Sequence, residues 1–195
     1  MNQTRLRIAL TVLVLLGLPF QVSAEEATVD IRFWAYSSNP EFFAYQTTNH
    51  DGAEVFVVGK AGETEPAYVQ TADEENSPRD ILISREMRDI YGWNADGSPG
   101  NPSPSGYTEL TVNETGATLT ITARQAGRVS PIGAIQRRTD ATQTVYAEVR
   151  LHEVMWSPDE TVAVVIIEQV VEGDWSERIQ TAHGFAIPER PGPAQ

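Results

Sequence analysis

The chain has no cysteine and one lysine, Lys60, among 195 residues. Disulfides and thiolate metal sites are therefore excluded, and stability must come from packing. Histidine is scarce as well: His50, His152 and His183 are far apart and form no i, i+4 ligand pair. No nucleophile elbow, phosphate-binding glycine loop or zinc motif occurs. Nothing in the sequence calls for a cofactor or a resident metal. Apolar runs are short. The longest, Ile8 to Leu18, follows Arg5 and Arg7, is broken by Pro19, and leads to the small residues Val22-Ser23-Ala24. This pattern predicts a secretory signal peptide over 1–24, and the run is short for a membrane span. The mature chain is expected to lack a spanning segment and to lie in the periplasm or outside the cell.

What remains, residues 25–195, suits one domain that buries roughly 70% of its unfolded surface. Without Arg5 and Arg7, 12 basic residues face 27 acidic ones, a net charge of −15. Such a surface repels nucleic acid and anionic lipid at long range, so neither is an expected partner.

Apolar alternation predicts strands over most of this length. The organising stretch is Met155 to Ile167, in which Ser157-Pro158-Asp159-Glu160 makes a tight turn. The β-branched run behind it is expected to form a central strand buried on both faces. Ser38-Asn39-Pro40-Glu41 aligns without a gap on that turn, in the frame Ser-x-x-Glu-x-apolar-Ala-apolar. Ala27 to Thr71 predicts a four-strand meander with a hairpin at Asn49-His50-Asp51-Gly52. Ser77 and Pro78 start one helix, Gly92 stops it, and Ile83, Met87, Ile90 and Tyr91 make its apolar stripe. Trp93 to Gly106 and Gln125 to Ala141 are expected to be loops, with a hairpin between them. Thr142 to Leu151 predicts a strand whose phase slips near His152-Glu153, which calls for a β-bulge there. Glu172-Gly173-Asp174 is a turn before the last strand. The expected fold is mostly β with one covering helix: an antiparallel β-sandwich or a partly closed barrel built from two meanders. A single domain over 25–190 and a disordered tail over 191–195 complete the division.

Trp156-Ser157-Pro158-Asp159 resembles the Ser-Pro-Asp-Gly turn-strand unit of WD-type and TolB-type propeller blades, with Glu160 in place of the usual glycine. The copy at Ser38 departs further. In its first meander, its helix and its Ser-Pro-Asp strand, the chain also resembles a bacterial family of predicted secreted proteins of unknown function. That resemblance implies export and a β-rich fold, and it brings no catalytic residues.

The candidate site residues are Arg128, Arg137, Arg138 and Trp93. Arg124, Arg128, Arg137 and Arg138 form the densest basic cluster; guanidinium groups grip anions by paired hydrogen bonds, or pair internally with the abundant acids. Trp93 and Trp175 offer flat faces for sugars or partner surfaces. The expected function is non-catalytic binding of an envelope protein or a polysaccharide through loops on a β scaffold. Two alternatives remain: a hydrolase site near His152 and Glu153, and a calcium-dependent module using the 93–106 loop, where Asn94, Asp96 and Ser98 alternate as oxygen donors.

Overall fold

The computed structural model describes residues 28–93, 96–139, 146–171 and 177–189. The expected signal peptide, the Glu172-Gly173-Asp174 turn, Trp175, Asn94 and the tail lie outside them. Within them the chain runs β1 (Thr28–Tyr36), β2 (Phe42–Asn49), β3 (Glu54–Lys60), β4 (Tyr68–Thr71), α1 (Pro78–Ile83), α2 (Arg85–Tyr91), β5 (Ser98–Pro99), β6 (Thr108–Thr115), β7 (Thr118–Gln125), β8 (Arg128–Gln136), β9 (Glu148–Trp156), β10 (Val162–Val171) and β11 (Glu177–Ala186).

One sheet has eight strands in the order β4-β3-β2-β1-β11-β10-β9-β5, and a second has three, β6-β7-β8. The fold is mostly β and sandwich-like, and it is not a closed barrel. The large sheet is mixed. Its two meanders, β1 to β4 and β9 to β11, meet side by side through one short parallel pairing, Thr28 with Arg178 and Val29 with Ile179. Where that ladder stops, the Gln180 side chain takes over and accepts from the Ile31 N–H at 2.9 Å. A partly buried donor is thereby paired.

Beyond this junction the meanders splay and pack on each other. Tyr36 and Phe43 from the first meander meet Val162 and Val164 from the second, with Phe33, Tyr45, Met155 and Ala182 around them. The Tyr36 hydroxyl accepts from Val164 N at 3.1 Å and donates to Met155 O at 2.6 Å. The opposite face of the second meander, with Val154, Trp156, Ala163, Val165, Ile167 and Phe185, packs on Leu110, Leu119, Ile121 and Ile135 of the small sheet. The opposite face of the first, with Ala44, Phe56 and Val58, packs on Ile81 and Met87 of the helices. The order of layers is small sheet, second meander, first meander, helices.

This stacking explains why β10 is a continuous apolar run. It is covered on both sides and flanked by β9 and β11, and all of Val162–Gln169 is buried. The phase slip before it is also real. Ile166 pairs with Glu153 and Ile167 with Leu151, so His152 is the extra residue of a bulge. The bulge brings Val149 and Leu151 onto the same packed face as Val154 and Trp156.

The repeated turn is confirmed, one residue away from the expected register. In the second copy Ser157 N donates to Val162 O at 2.9 Å, Thr161 N to Asp159 Oδ1 at 3.1 Å, and Ile187 N to Thr161 O at 2.8 Å. In the first, Ser37 N donates to Phe42 O at 3.0 Å, Glu41 N to Asn39 Oδ1 at 3.4 Å, and Ala61 N to Glu41 O at 2.8 Å. Ser37, not Ser38, is therefore the counterpart of Ser157, and Asn39 that of Asp159. The two matching serines are buried, while Ser38 is exposed.

Three expectations are corrected. The single helix is two short ones. Ser77 caps α1 in a capping box with Asp80, and Ser84, extended at ψ 152°, ends α1 and caps α2 through Met87 N. The break turns the predicted stripe: Ile81 and Met87 are buried, whereas Ile83 and Ile90 face solvent. Second, Gln125 to Ala141 is not a loop, since most of it is β8, the third strand of the small sheet. Third, residues 96–106 are tied down. Ser98–Pro99 pairs with β9, Gly100 O accepts from Trp156 Nε1 at 2.7 Å, and the Asn101 side chain bonds Leu110 N and O at 2.9 and 2.8 Å.

Candidate functional site

Strand β8 leaves the small sheet at Gln136 and delivers two consecutive arginines. Arg137 Nε donates to Ala147 O at 2.9 Å, and its NH2 meets Glu114 Oε2 at 2.6 Å. Arg138 N donates to Gln169 Oε1 at 2.8 Å, while its guanidinium meets Glu177 at 3.1 Å. Tyr146, bridged to Thr139, is 41% exposed, and the Arg137 guanidinium lies over its ring at 5.1 Å from the centroid. Together with Ala117, Gln136 and Thr139 these residues line an open depression of about 550 Å³.

The four sequence candidates do not converge. Arg137 and Arg138 line the depression. Arg128 opens β8 and so lies roughly 25–30 Å away along the strand. That far end is marked by Gln125, which bonds Pro188 O at 3.1 Å, whereas Arg138 sits at Gln169 and Glu177. Arg128 is exposed and makes no ion pair with the described residues. Trp93 belongs to the helix side of the first meander, three layers away, where it stacks on Tyr91 at 4.9 Å between centroids. Its indole N–H is buried there without a partner among the described residues, as is that of Trp34. Arg124, the remaining member of the cluster, pairs with Glu109 at 3.4 Å on the outer face of the small sheet. The residue that the sequence did not single out is Tyr146. Its only signal there was an aromatic in a run read as strand.

His152 is exposed at the extra position of the bulge, and Glu153 lies opposite Ile166. Asp96 is exposed and Ser98 is in β5. Among the described residues no three His, Asp or Glu side chains are grouped as a metal ion would require. His183 sits on β11 against Phe185, facing the small sheet, with Nε2 buried and unpartnered among the described residues; burial pushes its pKa down to about 4. Burial also pushes the Tyr45 hydroxyl up to about 12 and raises that of Tyr36 further. No described helix is long and apolar enough to cross a membrane.

No protein-family model, curated protein or solved structure matches the chain.

Proposed function

We propose that the protein is exported, to the periplasm or beyond, and acts there without catalysis, by binding an envelope protein or polysaccharide. The observation that carries this reading is the depression at the end of β8. It gathers Arg137, Arg138, Gln136, Thr139 and an exposed tyrosine at a surface where chain segments emerge from a layered scaffold. A concave patch with an aromatic ring and several convergent hydrogen-bonding groups has the composition of a ligand site. The basic start, apolar run and Val22-Ser23-Ala24 boundary support export, as does the resemblance to a secreted family. The acid excess argues against nucleic acid and anionic membrane surfaces.

The test has two readings in one experiment. The tagged full-length chain is expressed, the envelope fraction is isolated, and the amino terminus of the recovered protein is sequenced; it should begin at Glu25. A photo-crosslinking side chain in place of Tyr146 should then join the protein to an envelope component, and one in place of Ile90 on α2 should not. Recovery from the cytoplasm, or identical crosslinks from both positions, would overturn the reading.

A further inference from the structure

Gln136 is where the depression meets the small sheet. Gln136 pairs with Thr118 across β7 and β8, and both side chains lie on the outer face of the small sheet, away from the buried pair Leu119 and Ile135. That outer face is a row of hydroxyls and amides. Thr118, Thr120 and Thr122 alternate along β7, and opposite them on β6 stand Thr115, Asn113 and Thr111. All six are at least partly exposed. Thr111 and Thr122 share a hydrogen bond at 2.6 Å, and Asn113 Nδ2 donates to Thr122 Oγ1 at 3.2 Å. The hydroxyls of Thr118 and Thr120, nearest the depression, make no hydrogen bond with any described residue. Successive threonines on one face stand about 6.7 Å apart, and the row ends at Thr118, the cross-strand neighbour of Gln136 on the rim of the depression.

Charge decides what this surface fits. The two guanidinium groups in the depression are each matched by a carboxylate, Glu114 on Arg137 and Glu177 on Arg138. Among the described residues the local sum is zero, and the chain from Glu25 on carries −15. An anionic ligand would have to displace both acids and approach against the field of the whole chain. A neutral ligand meets no such cost. The surface offers it an exposed phenol ring, planar donors already held in place, an amide, and a hydroxyl row. A sugar ring is complementary to that set: one apolar face for Tyr146, and an edge of hydroxyls that both donate and accept for Gln136 and the threonines.

We propose that the Tyr146 depression and the threonine face of the small sheet form one continuous track for a neutral polysaccharide. This deepens the binding reading above and rests on it. Tyr146 stacks on one sugar ring; Gln136, Thr118 and Thr120 bond the next ones along the chain; Arg137 holds the tyrosine ring from behind. The track selects an oligomer over a single sugar, because no one residue along it encloses a ring.

Affinity electrophoresis in native gels tests this, using the full protein as produced. The gels hold hydroxyethyl cellulose, dextran or mixed-linkage β-glucan as neutral polymers, or alginate as an acidic one. At least one neutral polymer should retard the protein. Tyr146→Ala should weaken that retardation about tenfold, the loss of one stacking contact. Thr120→Val, which keeps the shape and removes the hydroxyl, should weaken it several-fold. Ile90→Ser, on the far side of the molecule, should leave it unchanged, and all three variants should melt as the parent does. Retardation by alginate alone, unchanged retardation in both track variants, or no retardation by any polymer would overturn the inference. In the last case a protein crosslinked at Tyr146 would leave the binding reading standing, whereas a Tyr146 position that captures nothing would remove both.

Discussion

Glu160 occupies the place where a Ser-Pro-Asp-Gly turn has glycine, and it pays a conformational penalty there, with φ at +56°. Left-handed backbone costs a residue with a Cβ about 1–2 kcal/mol. The side chain offsets this by accepting from Ser105 N at 2.8 Å and Ser105 Oγ at 2.5 Å, which anchors the segment before β6 to the turn. Glu160→Ala and Glu160→Gly both lose the carboxylate, so their difference isolates the backbone term. Urea unfolding should find the glycine variant more stable than the alanine variant by about 1 kcal/mol. His183 makes a second test at this scale. Its folded pKa is lowered from 6.5 to about 4 by burial. Between these values the unfolded chain binds a proton that the folded chain does not. The contribution is therefore fully favourable above pH 6.5, is lost as pH falls toward 4, and changes no further below that. Stability measured at pH 7 and at pH 4.5 should differ by a few kcal/mol more in the parent than in His183→Leu.

At the scale of elements, close approach to one ring explains two glycines, Gly59 in β3 and Gly184 in β11. A Cβ on Gly184 would stand 2.3 Å from the Phe43 ring, and one on Gly59 would stand equally close to the same ring. The ring thus lies between β3 and β11, and the meanders can splay without leaving a void. Gly184→Ala should destabilise by about 1–3 kcal/mol, and Phe43→Leu in the same chain should recover part of that loss. Ile166, fully buried in β10, should cost roughly 2–5 kcal/mol on truncation to alanine.

The elements legible in the sequence were those with an uninterrupted period. β10 was visible in its β-branched run, and the bulge at His152 in the change of parity between Leu151 and Val154. β8 was not, because Arg128-Val-Ser-Pro-Ile-Gly carries turn-forming residues inside a strand. Pro131 and Gly133 are tolerated there because β8 is an edge strand, irregular between its pairings to Ile121 and Thr122, and because Gly133 leaves room for Phe185. The helix break was hidden for another reason: Ser84 is acceptable inside a helix, and it is its extended backbone, with Ile81 and Met87 buried on either side, that reveals the turn. The Ser37–Ser38 pair allowed the repeat to be placed one residue off. Of the candidate site, Arg137 and Arg138 were legible as a basic doublet. That Tyr146 joins them, and that Arg128 and Trp93 do not, depends on layer order, which no local pattern encodes.

At the scale of the whole molecule, the second meander is one of the two inner layers, and Tyr36 fastens the first to it. Tyr36→Phe leaves Val164 N and Met155 O without their bridge in a buried site. A loss of about 1–3 kcal/mol is expected in thermal or urea unfolding, with the slope of the urea transition unchanged if the meanders still unfold as one unit. The small sheet is held to the same layer by apolar contact and by the bonds from Gln125 and Arg138 described above.

The junction between β1 and β11 joins segments at opposite ends of the described chain, and its supporting contact from Ile31 to Gln180 spans 149 positions. A seam of that kind cannot shut until the polypeptide has been made through Gln180, however quickly the hairpins on either side of it take shape. Closing it brings together residues far apart in the chain, so it should be a slow, late step that follows the local pairing within each meander.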